Sequence, residues 1–407
     1  QRSRQDSIRA GHVGRPVAHS TQAWRPFQIA FILLNLEGVA DPLHPDRDVA
    51  DLLWFPTGGG KTEAYLGLIA FTILLRRLRD ASDAGVSVIM RYTLRLLTLQ
   101  QFERATGLIC ALEDLRRREL PSAAPISIGL WVGQAATPNK VEDAAAALRK
   151  LRRGVPVEEQ NPVQLLRCPW CGAALSMDDY FVPSDNSSMT VRCPGAECDF
   201  GAGLPVHVVD EDVYRARPSL VIATVDKFAM VAWRSEVGHL FSSDGRNSRP
   251  DLIVQDELHL ISGPLGTMVG LYETVVDRAA TGLGRPKVVA STATIRRATE
   301  QIRAVFDRDA LQFPPPGIDA ADSFFSVQAP PESVGNRRYV GVMAPGSSHA
   351  TVLVRSYAAL LQAGHDLPNG SVKDAYWTLV GYFNSLRVLG SAYLQVIDDV
   401  PDRIKVV

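Results

Sequence analysis

Asp51-Leu52-Leu53-Trp54-Phe55 runs directly into Pro56-Thr57-Gly58-Gly59-Gly60-Lys61-Thr62, and an apolar series at Ala64, Leu66, Leu68, Ile69 and Leu74 follows. The order reads as a short strand, a glycine-rich turn and a helix that opens at Lys61-Thr62. Three consecutive glycines let the backbone fold tightly and aim several N–H groups into one concavity. The helix start adds its positive dipole end. Lys61 is then placed to reach β- and γ-phosphate oxygens, and the Thr62 hydroxyl to ligate Mg²⁺. Phe55 stands where the strict phosphate-loop pattern has its first glycine. The bland alternative, a glycine-rich turn before an ordinary helix, is weaker because strand and helix flank the turn as the motif demands.

The next question is where a metal-holding carboxylate comes from. Asp251-Leu252-Ile253-Val254-Gln255-Asp256-Glu257-Leu258-His259 puts two adjacent acids at the C-terminal end of an apolar strand, the end at which ligands bind in a parallel sheet. Successive side chains diverge there, so Asp256 is expected to hold Mg²⁺ through water while Glu257 faces the γ-phosphate as general base. Further strands are expected at Val86–Met90, Ile126–Val132, Leu220–Ala223 and Val288–Ala290, with helices at Phe27–Leu34 (a buried one) and Leu96–Leu115. Strands alternating with helices of this length imply right-handed crossovers and a parallel sheet, hence an α/β fold.

That alternation is interrupted in the middle. Residues 166–206 have no helical period and are rich in Cys, Gly and Pro, so 156–210 read as an insertion into one α/β domain spanning 24–320. A basic segment, 1–23, precedes it. Residues 321–338 read as a Pro-rich linker, and 339–407 as the incomplete start of a second domain, with strands at Tyr339–Val342 and Trp377–Tyr382.

Within the insertion, Cys168-Pro169-Trp170-Cys171-Gly172 is a tight knuckle, and Cys193-Pro194-Gly195-Ala196-Glu197-Cys198 is a looser one. The spacer between them is long enough for a hairpin, so the four thiolates are expected to face one another around a structural Zn²⁺. With four protein ligands no coordination position is open for catalysis. His207 is an available substitute ligand but reads more simply as a surface histidine. Cys110, in an apolar helical run, reads as a small buried hydrophobe. Cysteines clustered like this argue for a metal knot in a reducing compartment, the cytoplasm, rather than a secreted disulfide framework.

Composition closes off other classes. Of 407 residues 46% are hydrophobic, and 43 basic side chains face 44 acidic ones, which excludes disorder as the general state. The apolar stretches are far shorter than the roughly 20 residues that span a bilayer, so no membrane partner is expected. Arg116–Arg118 and Arg149–Arg153 read as solvated helix faces paired with acids such as Glu113 and Asp114. Arg91 and Arg95 are better placed for nucleic acid, at a sheet end facing the cleft. Trp131, Trp170 and Trp233 are the aromatic residues open to base stacking, with core packing the simpler role for Trp131.

Taken in order, these segments resemble the motifs of superfamily-2 helicases of the DEAH/DExH type. Asp256-Glu257-Leu258-His259 is similar to the acidic box, with Leu258 in place of the commoner Ala. Ser291-Thr292-Ala293-Thr294 resembles the Ser-Ala-Thr motif, and Arg25-Pro26-Phe27-Gln28 the glutamine-containing adenine-recognition segment. Arg91–Arg95 and Thr224–Phe228 resemble the two strand-end motifs that touch a nucleic-acid backbone. The resemblance implies a RecA-like P-loop NTPase domain in which Gln28, Thr57, Gly58, Gly59, Gly60, Lys61 and Thr62 hold ATP. It implies further that His259, Thr292 and Thr294 couple nucleotide state to closure, and that Thr93, Arg95 and Thr224 contact DNA. Tyr382-Phe383-Asn384-Ser385 resembles the first strand of a second RecA-like domain.

The arginine-finger segment of the family is not found before Val407, so a chain complete as it stands is expected to bind ATP and turn it over slowly. The inserted four-Cys block and Gly381-Tyr382-Phe383-Asn384-Ser385-Leu386-Arg387 narrow the resemblance to the helicase-like subunits of bacterial DISARM anti-phage systems. That implies a cytoplasmic DNA translocase or helicase acting with a second subunit. A nucleotide-gated DNA-binding scaffold that does not translocate, and an RNA-directed helicase, stay open as alternatives.

Overall fold

The computed structural model describes residues 13–16, 23–55, 58–93, 95–292, 297–319, 322–327, 329–330, 332–333 and 338–406, with backbone alone at 95–97 and 322–323. Strands β1 (Val49–Trp54), β2 (Val88–Tyr92) and β3 (Ile128–Trp131) come first, then the short β4 (Tyr180–Phe181), β5 (Thr190–Val191) and β6 (Val206–His207). β7 (Leu220–Thr224), β8 (Leu252–Gln255), β9 (Lys287–Thr292) and β10 (Asp309–Phe313) follow. Eight of them form one sheet in the order β10-β1-β9-β8-β2-β7-β3-β6. All its pairings are parallel, so the C-terminal ends share one edge. The order along that edge sets five loops side by side: those after β1, β9, β8, β2 and β7.

The apolar runs of these strands alternate between two faces. Leu53, Val88, Met90, Leu252 and Val254 join a core with helices α1 (Pro26–Ala40), α2 (Lys61–Arg79) and α3 (Arg95–Glu119). Leu52, Ile89 and Ile253 join the opposite core with α5 (Asp210–Ala216), α6 (Gly263–Ala280) and α7 (Ala298–Phe306); α4 (Val141–Arg152) packs on the first face. Burial on both sides is why the strands read as nearly unbroken hydrophobic runs.

Several expectations are corrected. α1 is amphipathic rather than buried: Phe27 and Phe31 face the core, while Ile29, Leu33 and Leu34 are exposed. Neither β6 nor β10 was expected. Both lie at the two edges of the sheet, where one free side lets polar residues such as His207, Asp309 and Gln312 into the strand. The inserted block packs directly on the domain: Cys168, Trp170, Tyr180 and Phe200 share one core with Ile109, Cys110 and Leu148. The block's tail returns to the sheet as β6.

The chain divides into two compact units, Gln1–Val327 and Gln328–Val407. A two-stranded hairpin, β11 (Asp322–Ser323) with β12 (Ser326–Val327), occupies the start of the expected linker. The second unit holds helices α8 (His349–Asp366), α9 (Ser371–Tyr376) and α10 (Leu386–Ile404), and α8 packs on α10. Tyr339–Val342 and Trp377–Tyr382 are not strands. A strand needs a neighbouring ladder for its N–H and C=O groups, and the described residues of this unit provide none.

Candidate nucleotide site and four-cysteine centre

At the end of β1 the turn holds Gly58 and Gly60 at φ of 78° and 96°, a backbone that L side chains rarely adopt. A Cβ on Gly60 would also come within 2.7 Å of the Gln28 amide nitrogen. Gln28 is the reason the space is tight. Its Nε2 donates to the Gly60 carbonyl at 2.9 Å, and its Oε1 accepts from the Arg25 backbone N–H at 2.8 Å. The Arg25 guanidinium donates to the Gly59 carbonyl at 2.6 Å. Phe27 stacks on Phe55 with centroids 3.9 Å apart and planes 9° from parallel. Helix α1 thus grips the glycine-rich loop from the side. Lys61 begins α2, and its Nζ donates to the Phe55 carbonyl at 2.8 Å. Thr62 follows it in the first turn of α2. Thr57 lies outside the described residues.

Two strands away, Asp256 and Glu257 follow β8. Tyr65, one turn beyond Thr62 on α2, donates its hydroxyl to Asp256 Oδ1 at 3.0 Å and lies 3.1 Å from Ser291 Oγ. Ser291, on β9 between the two, also donates to Asp256 Oδ1, and the Glu257 backbone N–H completes the set at 2.9 Å. The glycine loop's helix and the acidic pair are therefore within one side chain's reach. Burial, then repulsion from Asp256, raises the Tyr65 pKa well above its ordinary value, so it stays a hydroxyl donor. The same two causes, in that order, raise the Glu257 carboxyl, with Lys61 and His259 opposing. A carboxylate so tuned is a better proton acceptor than a free one. His259 Nδ1 sits 3.4 Å from Glu257 Oε2 and 3.2 Å from Thr292 Oγ1, which links the second acid to β9. Thr294 lies outside the described residues. Oxygen donors of this kind, a carboxylate and a threonine hydroxyl, suit a hard cation such as Mg²⁺.

Farther along the same edge, Thr93 after β2 and Thr224 at the end of β7 are neighbours by register, Tyr92 facing Thr224. Both hydroxyls are buried with no hydrogen-bond partner among the described residues. Of Arg95 only the backbone is described, at the start of α3. Arg91 does not face a cleft. It is buried in an ion pair with Glu273, between the rings of Phe228 and Phe306 at 5.5 and 5.6 Å. The run on α3 is paired: Arg116 and Arg117 with Glu113, Arg118 with Asp114. Trp131 is core and donates to the Tyr214 hydroxyl at 2.8 Å, Trp170 is buried, and Trp233 is exposed.

The four cysteines come together as expected. Their sulfurs all lie within 4.8 Å of one another, with Cys171–Cys193 at 3.3 Å and Cys168–Cys198 at 3.9 Å. Four thiolates on a tetrahedral Zn²⁺ at ~2.3 Å stand roughly 3.8 Å apart, so the cluster fits that ion. Trp170 braces it, its Nε1 donating to Asp199 at 2.8 Å. His207 is not in the cluster and is no plain surface histidine. It sits on β6, where burial lowers its pKa to about 4. Cys110 is fully buried, as its apolar surroundings suggested. Tyr65 and Ser291 are the site residues that motif reading left without a role. The single available signal was the position of Tyr65 one helical turn past Thr62.

The fold is a parallel α/β sheet of the RecA-like kind, with a glycine-rich loop and an acidic pair at one edge and an inserted cysteine module, and the chain resembles superfamily-2 helicases. In particular it is 41% identical, over an alignment of 437 positions, to the DISARM protein DrmA of Bacillus paralicheniformis (strain ATCC 9945a / NCIMB 11709 / CD-2). That alignment takes in 94% of this chain and 39% of the relative, so the chain spans about two-fifths of the curated relative's length. No protein-family model matches the chain. Among solved structures, the DUF1998 helicase MrfA aligns with 99% of this chain and 41% of its own, at 12% identity and a TM-score of 0.48. Mss116p bound to ssRNA and AMP-PNP aligns with 73% of this chain and 46% of its own, at 11% identity and a TM-score of 0.38. No helix among the described residues is long and apolar enough to cross a membrane.

Proposed function

We propose that this chain is the nucleotide-hydrolysing part of a helicase-like subunit of a DISARM defence system, and that it couples Mg-ATP hydrolysis to movement on or remodelling of DNA. One observation carries the reading: the phosphate-loop helix and the acidic pair meet at a single edge, Tyr65 touching Asp256 at 3.0 Å. In this reading the Gly58–Gly60 backbone and Lys61 bind the phosphates, and Gln28 and Arg25 set the loop's shape. Thr62 and Asp256 would hold Mg²⁺, which when bound neutralises phosphate charge. Glu257 accepts the proton of the attacking water. Thr292 and His259, already joined at 3.2 Å, carry the state of that carboxylate to β9. Thr294 joins them in that coupling, and Thr93, Arg95 and Thr224 contact the DNA backbone. The similarity to DrmA supports the defence setting, and the reading adds the cytoplasm and a second subunit as partner. The four-cysteine module would hold Zn²⁺ as a brace on α3.

The test is ATP hydrolysis by the purified chain, alone and with the other subunits of its system, with and without single-stranded DNA. DNA stimulation that Lys61→Ala abolishes supports the proposal. DNA binding that depends on ATP without stimulated hydrolysis or movement would replace the motor with a gated scaffold. Stimulation by RNA and not by DNA would reassign the substrate, because phosphate contacts alone do not tell the sugars apart.

A further inference from the structure

Asp256 is held from three sides by groups that the nucleotide reading does not employ. Oδ1 accepts the Tyr65 hydroxyl from α2, the Ser291 hydroxyl from β9 and the Glu257 backbone N–H. Tyr65 is 1% exposed and Ser291 fully buried, so solvent does not compete for these contacts. Tyr65 also lies 3.1 Å from Ser291, which closes a ring of three side chains from three separate elements. The buried Tyr92 hydroxyl on β2 feels the same carboxylate, which adds to burial in raising its pKa well above the ordinary value. An oxygen with three donors has no lone-pair capacity to spare, so rotation of the carboxylate would break several bonds at once. A cation's hydration shell is then left to Oδ2.

From this geometry we infer that Tyr65 and Ser291 are positioning residues for the divalent cation: they lock the Asp256 carboxylate in its metal-binding orientation. The division of labour at the end of β9 is sharp. Ser291 serves the first acid of the pair, while its neighbour Thr292 reaches the second through His259. The inference rests on the proposed nucleotide site and assigns it a determinant of metal dependence on the phosphate-loop helix itself. Groups that orient a metal-binding carboxylate typically govern affinity by about 10–100-fold.

The experiment titrates Mg²⁺ against binding of a fluorescent ATP analogue to the full chain, for wild type, Tyr65→Phe and Ser291→Ala, with thermal melts of each. Tyr65→Phe removes one oxygen and keeps the ring's packing. The expected result is unchanged analogue binding without metal and a Mg²⁺ midpoint raised about 10-fold, with a similar shift for Ser291→Ala. A merely structural role would lower the melting temperature and weaken metal-free binding in step. That pattern, or Mg²⁺ midpoints equal to wild type in both variants, overturns the inference and leaves the nucleotide site standing. Failure of the wild type to bind the analogue at any Mg²⁺ concentration overturns the nucleotide reading, and this inference with it.

Discussion

Glu257 has a left-handed backbone, at φ of 49°, which costs a non-glycine residue on the order of 1 kcal/mol. Such strain at an acid already pushed toward protonation sets stability against activity at one position. Glu257→Gly is therefore expected to raise stability to urea by about 1 kcal/mol while abolishing turnover. Glu257→Gln should leave stability near wild type and keep nucleotide binding with hydrolysis lost. Unchanged hydrolysis in Glu257→Gln would remove it from the role of base.

His207 makes a second residue-scale case. Its folded pKa of about 4 lies below its ordinary 6.5, so between those values the folded chain binds fewer protons than the unfolded one. Stability therefore rises with pH through that window and is lost as pH falls from 6.5 toward 4. The loss is at most about 3 kcal/mol, and less in proportion to the exposure the ring retains. Melting temperature followed against pH should show a shallower slope in His207→Gln.

Residues set in a distinctive local pattern were legible in the sequence as candidates. Lys61 after three glycines, paired acids after an apolar run and cysteines in knuckles leave few alternatives. Tyr65 and Ser291 were not legible, because a hydroxyl acquires meaning only from its neighbours. These two meet Asp256 across 191 and 35 residues of chain.

At the scale of elements, Arg91 joins the sheet to α6 and α7. Its position at a strand end suggested nucleic acid. The sequence carried no sign that Glu273, from a helix far downstream, would close over it. Arg91→Ala strands a buried carboxylate and should cost about 3–5 kcal/mol in urea denaturation. The pair Arg91→Met with Glu273→Leu should recover most of that loss. A double variant as unstable as the single one would show that the cation–ring contacts, not the ion pair, hold the joint. The cysteine module behaves as an element too. Since Cys168 and Trp170 share a core with Ile109 and Leu148, metal loss should loosen α3 as well as the knuckles. Chelation, or Cys168→Ser, is expected to lower the melting temperature of the whole first unit by roughly 10 °C. Loss of signal confined to the module in hydrogen exchange would contradict this coupling.

Over the whole molecule, the sheet, both its cores and every described site residue fall within Gln1–Val327. That stretch expressed alone should fold and bind nucleotide within about threefold of the full chain. The parallel α/β plan was readable from alternating strands and helices, because each central strand is buried on both faces. The strand order was not, since register between distant segments leaves no local trace. Yet that order governs how the polypeptide is made. β1 is the earliest of the eight strands to leave the ribosome, and its two flanking partners, β9 and β10, are the last. At ~5–20 residues per second, the segment bearing the glycine loop waits roughly 10–50 s for a neighbour. During synthesis the N–H and C=O groups of β1 are thus left without a ladder, and a nascent chain released before Lys287 has helices to cover Leu53 but no strand to pair beside it.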